Sequence, residues 1–224
     1  MLLKMRGWDA WSCDLLPTES EQTKASGKHI QDDVILLLGN LQLRDYLVRR
    51  GYADKYENMP EKWDLLIGHP PCTYLSFAYT GTERYSINRL QNKINAYQFF
   101  LDLWAAPIEH ICLENPMGYI HTGLLPYTQI VEPYYWGDPY KKKTCLWLKN
   151  LPKLTYEIPG LFGRGTKVEP THTFINCTPV KRRKLPSVLP AFSNGSEKSK
   201  FHSGIANAMA EQWTEYLTLK HTKL

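Results

Sequence analysis

The five cysteines of this 224-residue chain, Cys13, Cys72, Cys112, Cys145 and Cys177, never fall in a Cys-x-x-Cys pair. Their odd count and wide spacing point to reduced thiols and supply neither a zinc-ligand set nor a disulfide framework. Long apolar runs are also missing. The longest, Val34–Leu38, and shorter ones such as Leu65–Ile67, fall far short of the roughly 20 residues that a membrane-spanning helix needs. Residues 1–10 mix charges with apolar side chains and hold no secretory apolar core, so a cytoplasmic protein is expected. Internal repeats and low-complexity tracts are absent from the sequence.

What remains is an ordinary globular composition. The hydrophobic fraction is 43%, and the length suits one domain with a full core. The formal net charge of +5 is mildly basic, short of a strong nucleic-acid signature. The basic residues are nevertheless uneven, with compact runs at Lys141–Lys143 and Lys181–Lys184. Such runs read equally well as solvated loops or as a phosphate-facing surface.

Hydrophobic spacing predicts the elements. Met1–Gly7 reads as a last helical turn ending at glycine, and 8–15 as a strand ending at Asp14. Residues 18–28 read as a polar loop, 29–33 as a short strand and 34–50 as a helix stopped by Gly51. A polar loop leads to a strand over 63–67, then to Gly68-His69-Pro70-Pro71-Cys72 and a loop over 73–85. A long amphipathic helix is predicted over 87–104, ended by Pro107, then a short strand over 111–113 closed by the polar corner Glu114-Asn115-Pro116. Strands are expected at 129–133 and 143–148, irregular structure over 150–200, and a final helix over 204–219. Alternation of strands and helices argues for an α/β fold with a largely parallel sheet and a site at the carboxyl ends of its strands.

Four of those ends carry polar or reactive residues: Asp14, Asp33, Cys72 and Glu114. Asp14 and Asp33, each alone, read first as turn or helix caps. An acidic residue at the end of the second strand can also hold a ribose hydroxyl. A lone cysteine is usually an inert buried residue, as expected for Cys13, Cys112 and Cys145 in their apolar segments. Cys72 differs, because two consecutive prolines stiffen the backbone and would fix the thiol in place. A positioned and activated thiolate is a strong nucleophile.

The segment Gly68-His69-Pro70-Pro71-Cys72-Thr73-Tyr74-Leu75-Ser76 resembles the catalytic-loop motif of the cytosine-C5 DNA methyltransferases, Gly-x-Pro-Pro-Cys-x-x-x-Ser. Glu114-Asn115-Pro116 is similar to that family's Glu-Asn-Val motif. Tyr135-Trp136-Gly137-Asp138-Pro139, with Lys141–Lys143 and Cys145-Leu146-Trp147-Leu148, resembles its Gly-x-Pro-Gln-x-Arg-x-Arg segment and the strand that follows. Ser203–Ala210 is similar to its closing helix motif. Within the family the chain most resembles short methylase-like proteins encoded by phages and prophages. These share the wording of residues 11–17, Trp-Ser-Cys-Asp-Leu-Leu-Pro, and 142–148, Lys-Lys-Thr-Cys-Leu-Trp-Leu.

The resemblance implies a Rossmann-like, S-adenosylmethionine-dependent methyltransferase fold with a mostly parallel sheet, in a bacterial cytoplasm. A catalytic core would occupy 1–149, a small target-recognition region 150–200, and a returning helix 201–224. The implied reaction is methylation of cytosine C5 in duplex DNA. The Cys72 thiolate would add at C6, turning the ring into an enamine whose C5 attacks the methyl sulfonium. Glu114, carrying or sharing a proton, would stabilise charge at N3. Asn115 would fix the loop, and Lys143 would stand in for a family arginine without its bidentate fork. By the same resemblance the cofactor would be held by Asp14 and Leu15, by Asp33 and Val34, by Pro70 and Pro71, and by Asn207. Ser76, Lys141, Lys142, Arg182 and Arg183 would contact DNA around a flipped nucleotide. No metal site is implied.

The sequence also departs from the pattern. It holds no Asp-x-Phe-x-Gly-x-Gly segment, so the fold is expected without its first, usually central, strand. That would leave an unpaired sheet edge. Two other readings stay open. One is an amino-methyltransferase acting on adenine N6 or cytosine N4, for which His69-Pro70-Pro71-Cys72 would need an aromatic residue in place of Cys72. The other is a degenerate methylase fold that binds DNA or a protein without turnover.

Overall fold

The computed structural model describes residues 3, 6–38, 45, 49–51, 60, 62–76, 86–136, 142–158, 166–168 and 203–222. In chain order the elements are β1 (Ser12–Asp14), α1 (Glu21–Ser26), β2 (His29–Gln31), α2 (Val34–Leu38), β3 (Leu65–Gly68) and α3 (Ile87–Trp104). These are followed by β4 (His110–Pro116), α4 (Tyr119–Gly123), β5 (Gln129–Val131), β6 (Thr144–Lys149), β7 (Tyr156–Ile158), β8 (Thr166–Val168) and α5 (Ser203–His221). The chain is therefore a mixed α/β protein.

The sheet expected to be mostly parallel is not. β3, β4, β6 and β5 lie side by side in that order, with only β3–β4 parallel. β6 runs antiparallel to both β4 and β5. One reversed strand placed between two that point the same way converts both of its pairings to antiparallel. β1 and β2 pair in parallel as a separate two-stranded sheet, and β7 and β8 form an antiparallel pair.

Strand alternation explains why helices cover both faces of the four-stranded sheet. Ile111 and Leu113 of β4 and Cys145 and Trp147 of β6 face one core, shared with Phe100 and Leu103 of α3. Cys112, Leu146 and Leu148 point the other way and pack with Ile205, Met209 and Trp213 of α5. Side chains that alternate across a strand allow both faces to be buried only when both are apolar, as they are here. Phe100 is fully buried and meets Trp147 edge-on, with ring centroids 5.0 Å apart.

Several expectations are corrected. The polar loop expected over 18–28 contains α1. Ser20 caps it, accepting from Thr23 N–H, and Gly27 ends it in the left-handed conformation at φ 65°. α1 buries no residue, so it shows no hydrophobic period. The corner Glu114-Asn115-Pro116 is the second half of β4, because Glu114, Asn115 and Pro116 pair with Leu146, Cys145 and Thr144. The strand expected over 8–15 is only Ser12–Asp14. The irregular segment contains the β7–β8 pair, and its residues 169–200 lie outside the described residues. The predicted 34–50 helix is described as α2, with 39–44 and 46–48 outside the description. α3 spans the predicted residues, capped by the Ser86 side chain on Arg89 N–H.

Among the described residues no helix is long and apolar enough to cross a membrane. Phe100→Ala is expected to lower the unfolding free energy by about 3–5 kcal/mol in denaturant titration, because it opens a cavity against Trp147. A loss below about 1 kcal/mol would mean that this core is not the one that holds the sheet.

Candidate active site at the carboxyl ends of β3 and β4

The β3–β4 register builds the site. Gly68 lies opposite Leu113, so the next residues, His69 and Pro70, come level with Glu114 and Asn115. His69 Nδ1 and Glu114 Oε2 are 3.1 Å apart. The buried Asn115 side chain donates from Nδ2 to Pro70 O at 2.7 Å. Proline has no N–H to enter a ladder, so this side chain replaces the missing strand pairing where the chain turns away.

The turn then carries Cys72. Its carbonyl accepts from Leu75 N–H at 3.0 Å and Ser76 N–H at 2.9 Å, which closes a tight loop. Leu75 is buried in the core, and its carbonyl accepts from Tyr119 N–H at 2.8 Å. Ser76 forms a bridge with Gly118. A Cβ on Gly118 would lie 1.9 Å from Leu75 O. Only glycine allows the 72–76 loop to sit this close to the end of β4.

Cys72 is exposed at its surface, yet burial pushes its thiol up from the ordinary value. The Glu114 carboxylate pushes it further, while a backbone hydrogen bond and the charge of Lys142 pull it down. The thiol and the carboxylate predicted as partners therefore stand within electrostatic reach of each other. The charge of Lys142 reaches Cys72, and that of Lys143 lowers the buried Cys145 thiol. The other expected bystanders are held as thiols, Cys13 half-buried and Cys112 and Cys145 buried. Burial pushes Cys13 up to about 11 and Cys145 up to about 12, and puts Cys112 well above the usual range.

The remaining expected site residues are placed as follows. Pro70 is buried and Pro71 exposed in the Cys72 turn. Ser76 is half-buried with its backbone tied into that turn. Asp14 and Leu15 are exposed at the end of β1, and Asp14 Oδ1 accepts from Leu16 N–H at 2.9 Å in a local turn. Asp33 is exposed past β2, and its Oδ1 accepts from Ile35 N–H at 2.9 Å. Val34 is half-buried and packs into the core beneath α3. Asn207 is exposed near the start of α5, with no hydrogen bond to Asp14 or Asp33 among the described residues. Lys141, Arg182 and Arg183 lie outside the described residues.

His69 is the site residue that sequence reasoning passed over. It lay inside the motif, but only the β3–β4 register shows that it faces a carboxylate 45 positions away.

No family model matches the chain, and no curated protein matches it.

The electrostatics fix a sign. A thiol held above its usual value reacts faster as pH rises, by about tenfold per unit until it is ionised. Removing the Glu114 charge should lower the Cys72 value, so Glu114→Gln is expected to speed alkylation by iodoacetamide by roughly threefold or more at about pH 8. Lys142→Ala should slow it. Mass spectrometry at Cys72 reads both. Equal rates in all three proteins would mean that neither charge reaches the thiol.

Proposed function

We propose that the chain acts as a cytosine-C5 methyltransferase on DNA, with Cys72 as nucleophile. The observation that carries this reading is the juxtaposition of the Pro70-Pro71-Cys72 turn with Glu114, joined by Asn115 Nδ2 to Pro70 O at 2.7 Å. Carbon C5 of cytosine is a poor nucleophile until a group adds at C6, and addition at C6 places negative charge on the ring. A thiol on a stiff turn supplies the addition. A carboxyl group beside it can hold a proton at N3 and accept from the exocyclic amine.

Each residue then has its task. Cys72 gives its proton to solvent as sulfur bonds to C6; after methyl transfer solvent water takes the C5 proton, and the C–S electron pair returns to sulfur as the product leaves. Glu114 lends a proton to N3 during addition and takes it back when aromaticity returns. Asn115 and Gly118 hold the loop so that sulfur and carboxyl approach the same ring. Lys142 offsets the carboxylate's pull on the thiol and can contact a flanking phosphate. A base inside a duplex cannot reach this turn, so the nucleotide must swing out, at an unstacking cost of a few kcal/mol.

S-adenosylmethionine, when bound, supplies the electrophilic methyl group. The residues present suit a nucleoside in kind. The exposed carboxylates of Asp14 and Asp33 lie at neighbouring strand ends. Beside them Leu15 and Leu16 are 70% and 69% exposed, an apolar pair that a purine ring would cover.

The test uses DNA containing 5-fluorocytosine, whose C5 cannot lose a proton and so traps the covalent species. With S-adenosylmethionine present, the wild-type protein is expected to form an adduct that survives denaturing electrophoresis. Cys72→Ser should form none. Absence of an adduct with the intact protein contradicts the proposal.

A further inference from the structure

We infer that His69 is a positioning residue for Glu114, a solvent-exposed imidazole that passes a proton to and from the carboxyl group behind it. The inference rests on the methyltransferase reading for the task that Glu114 performs, but the coupling itself can be measured without it.

The geometry carries the assignment. The Glu114 side chain is 13% exposed, whereas His69 is 42% exposed. The two meet at 3.1 Å through Nδ1 and Oε2. A proton bound for the enclosed carboxyl therefore has an imidazole standing between it and water. When the pair holds one exchangeable proton, two arrangements are equivalent in charge. Either Nδ1–H donates to a carboxylate, or a neutral carboxyl donates its O–H to Nδ1. In both, the net charge presented to Cys72 is zero.

The groups around the pair make that neutrality matter. Glu114 projects from β4, and its charge raises the thiols of Cys72 in the turn, Cys112 in β4 and Cys145 in β6. The opposing charges come from the segment that enters β6, Lys142 toward Cys72 and Lys143 toward Cys145. With His69 carrying its proton, the carboxylate's effect on Cys72 is offset at its source. The proton ledger closes. As Glu114 gives the pair's proton to N3, the imidazole takes one from solvent water and hands it to Glu114. As the ring regains aromaticity, both transfers reverse. Only N–H and O–H bonds are exchanged, and no proton is consumed in the relay.

The experiment is a double-mutant cycle on Cys72 alkylation by iodoacetamide, in the absence of DNA and cofactor, read by mass spectrometry across pH. At the acidic end of the pH series His69→Gln should alkylate at least about threefold more slowly than wild type. The uncompensated carboxylate then holds the thiol up. At the basic end of the series the two rates should converge. In a Glu114→Gln background the His69 substitution should have no effect at either pH. His69→Asn serves as a second variant should the first unfold. A His69 effect that is independent of pH, or that persists in the Glu114→Gln background, overturns the inference, as does no effect at all. The fluorocytosine adduct decides the methyltransferase reading separately, so failure of one leaves the other standing.

Discussion

The hydrogen bond from Asn115 to the carbonyl of Pro70 is the constraint on which the candidate site depends. At the end of β3 the chain meets two prolines, which cannot continue a ladder of N–H donors. Without another tie, the turn that follows would be free to leave the sheet. Asn115 supplies that tie from inside β4 at 2.7 Å. It is 2% exposed, so the bond is made away from competing water. Its Oδ1 is buried without a hydrogen-bond partner among the described residues.

The same constraint orders everything around it. Asn115 can reach Pro70 only if β4 stays extended past the apolar Ile111–Leu113, and pairing with Cys145 of β6 keeps it so. Extension of β4 carries Glu114 level with His69 and delivers Gly118 beneath the 72–76 loop. The core in turn holds β4 straight. Ile111 and Leu113 are fully buried on one face, and Cys112 on the other. Packing on two faces thus fixes the strand, the strand fixes the amide, and the amide fixes the thiol relative to the carboxyl group. That chain connects the apolar core to the placement of a thiol beside a carboxyl group.

What the sequence made legible follows from where the forces are local. α3 was readable to its ends because a helical apolar period, the Ser86 cap and Pro107 all agree. Cys72 stood out because proline stiffness is a property of the chain itself. The failures came from forces that are not local. Glu114-Asn115-Pro116 reads as a corner by composition, yet β6 keeps it in a strand. The reversal of β6 leaves no trace in its own apolar pattern, which serves a parallel or an antiparallel strand alike. α1 lacks a buried face, and its evidence lay only in Ser20 and Gly27. The separate thiols on which the charges of Lys142 and Lys143 act could not be read from adjacent identical residues.

The central claim is that Cys72 adds to cytosine and Glu114 assists. Addition at C6 makes C5 basic, so a thiol that adds reversibly must exchange the C5 hydrogen with solvent even when no methyl group is transferred. The direct measurement is release of deuterium from DNA labelled at cytosine C5. Wild-type protein should release it, Glu114→Gln should release it much more slowly, and Cys72→Ser should release none. Release that is absent from the wild-type protein, or unchanged by Cys72→Ser, would contradict the account.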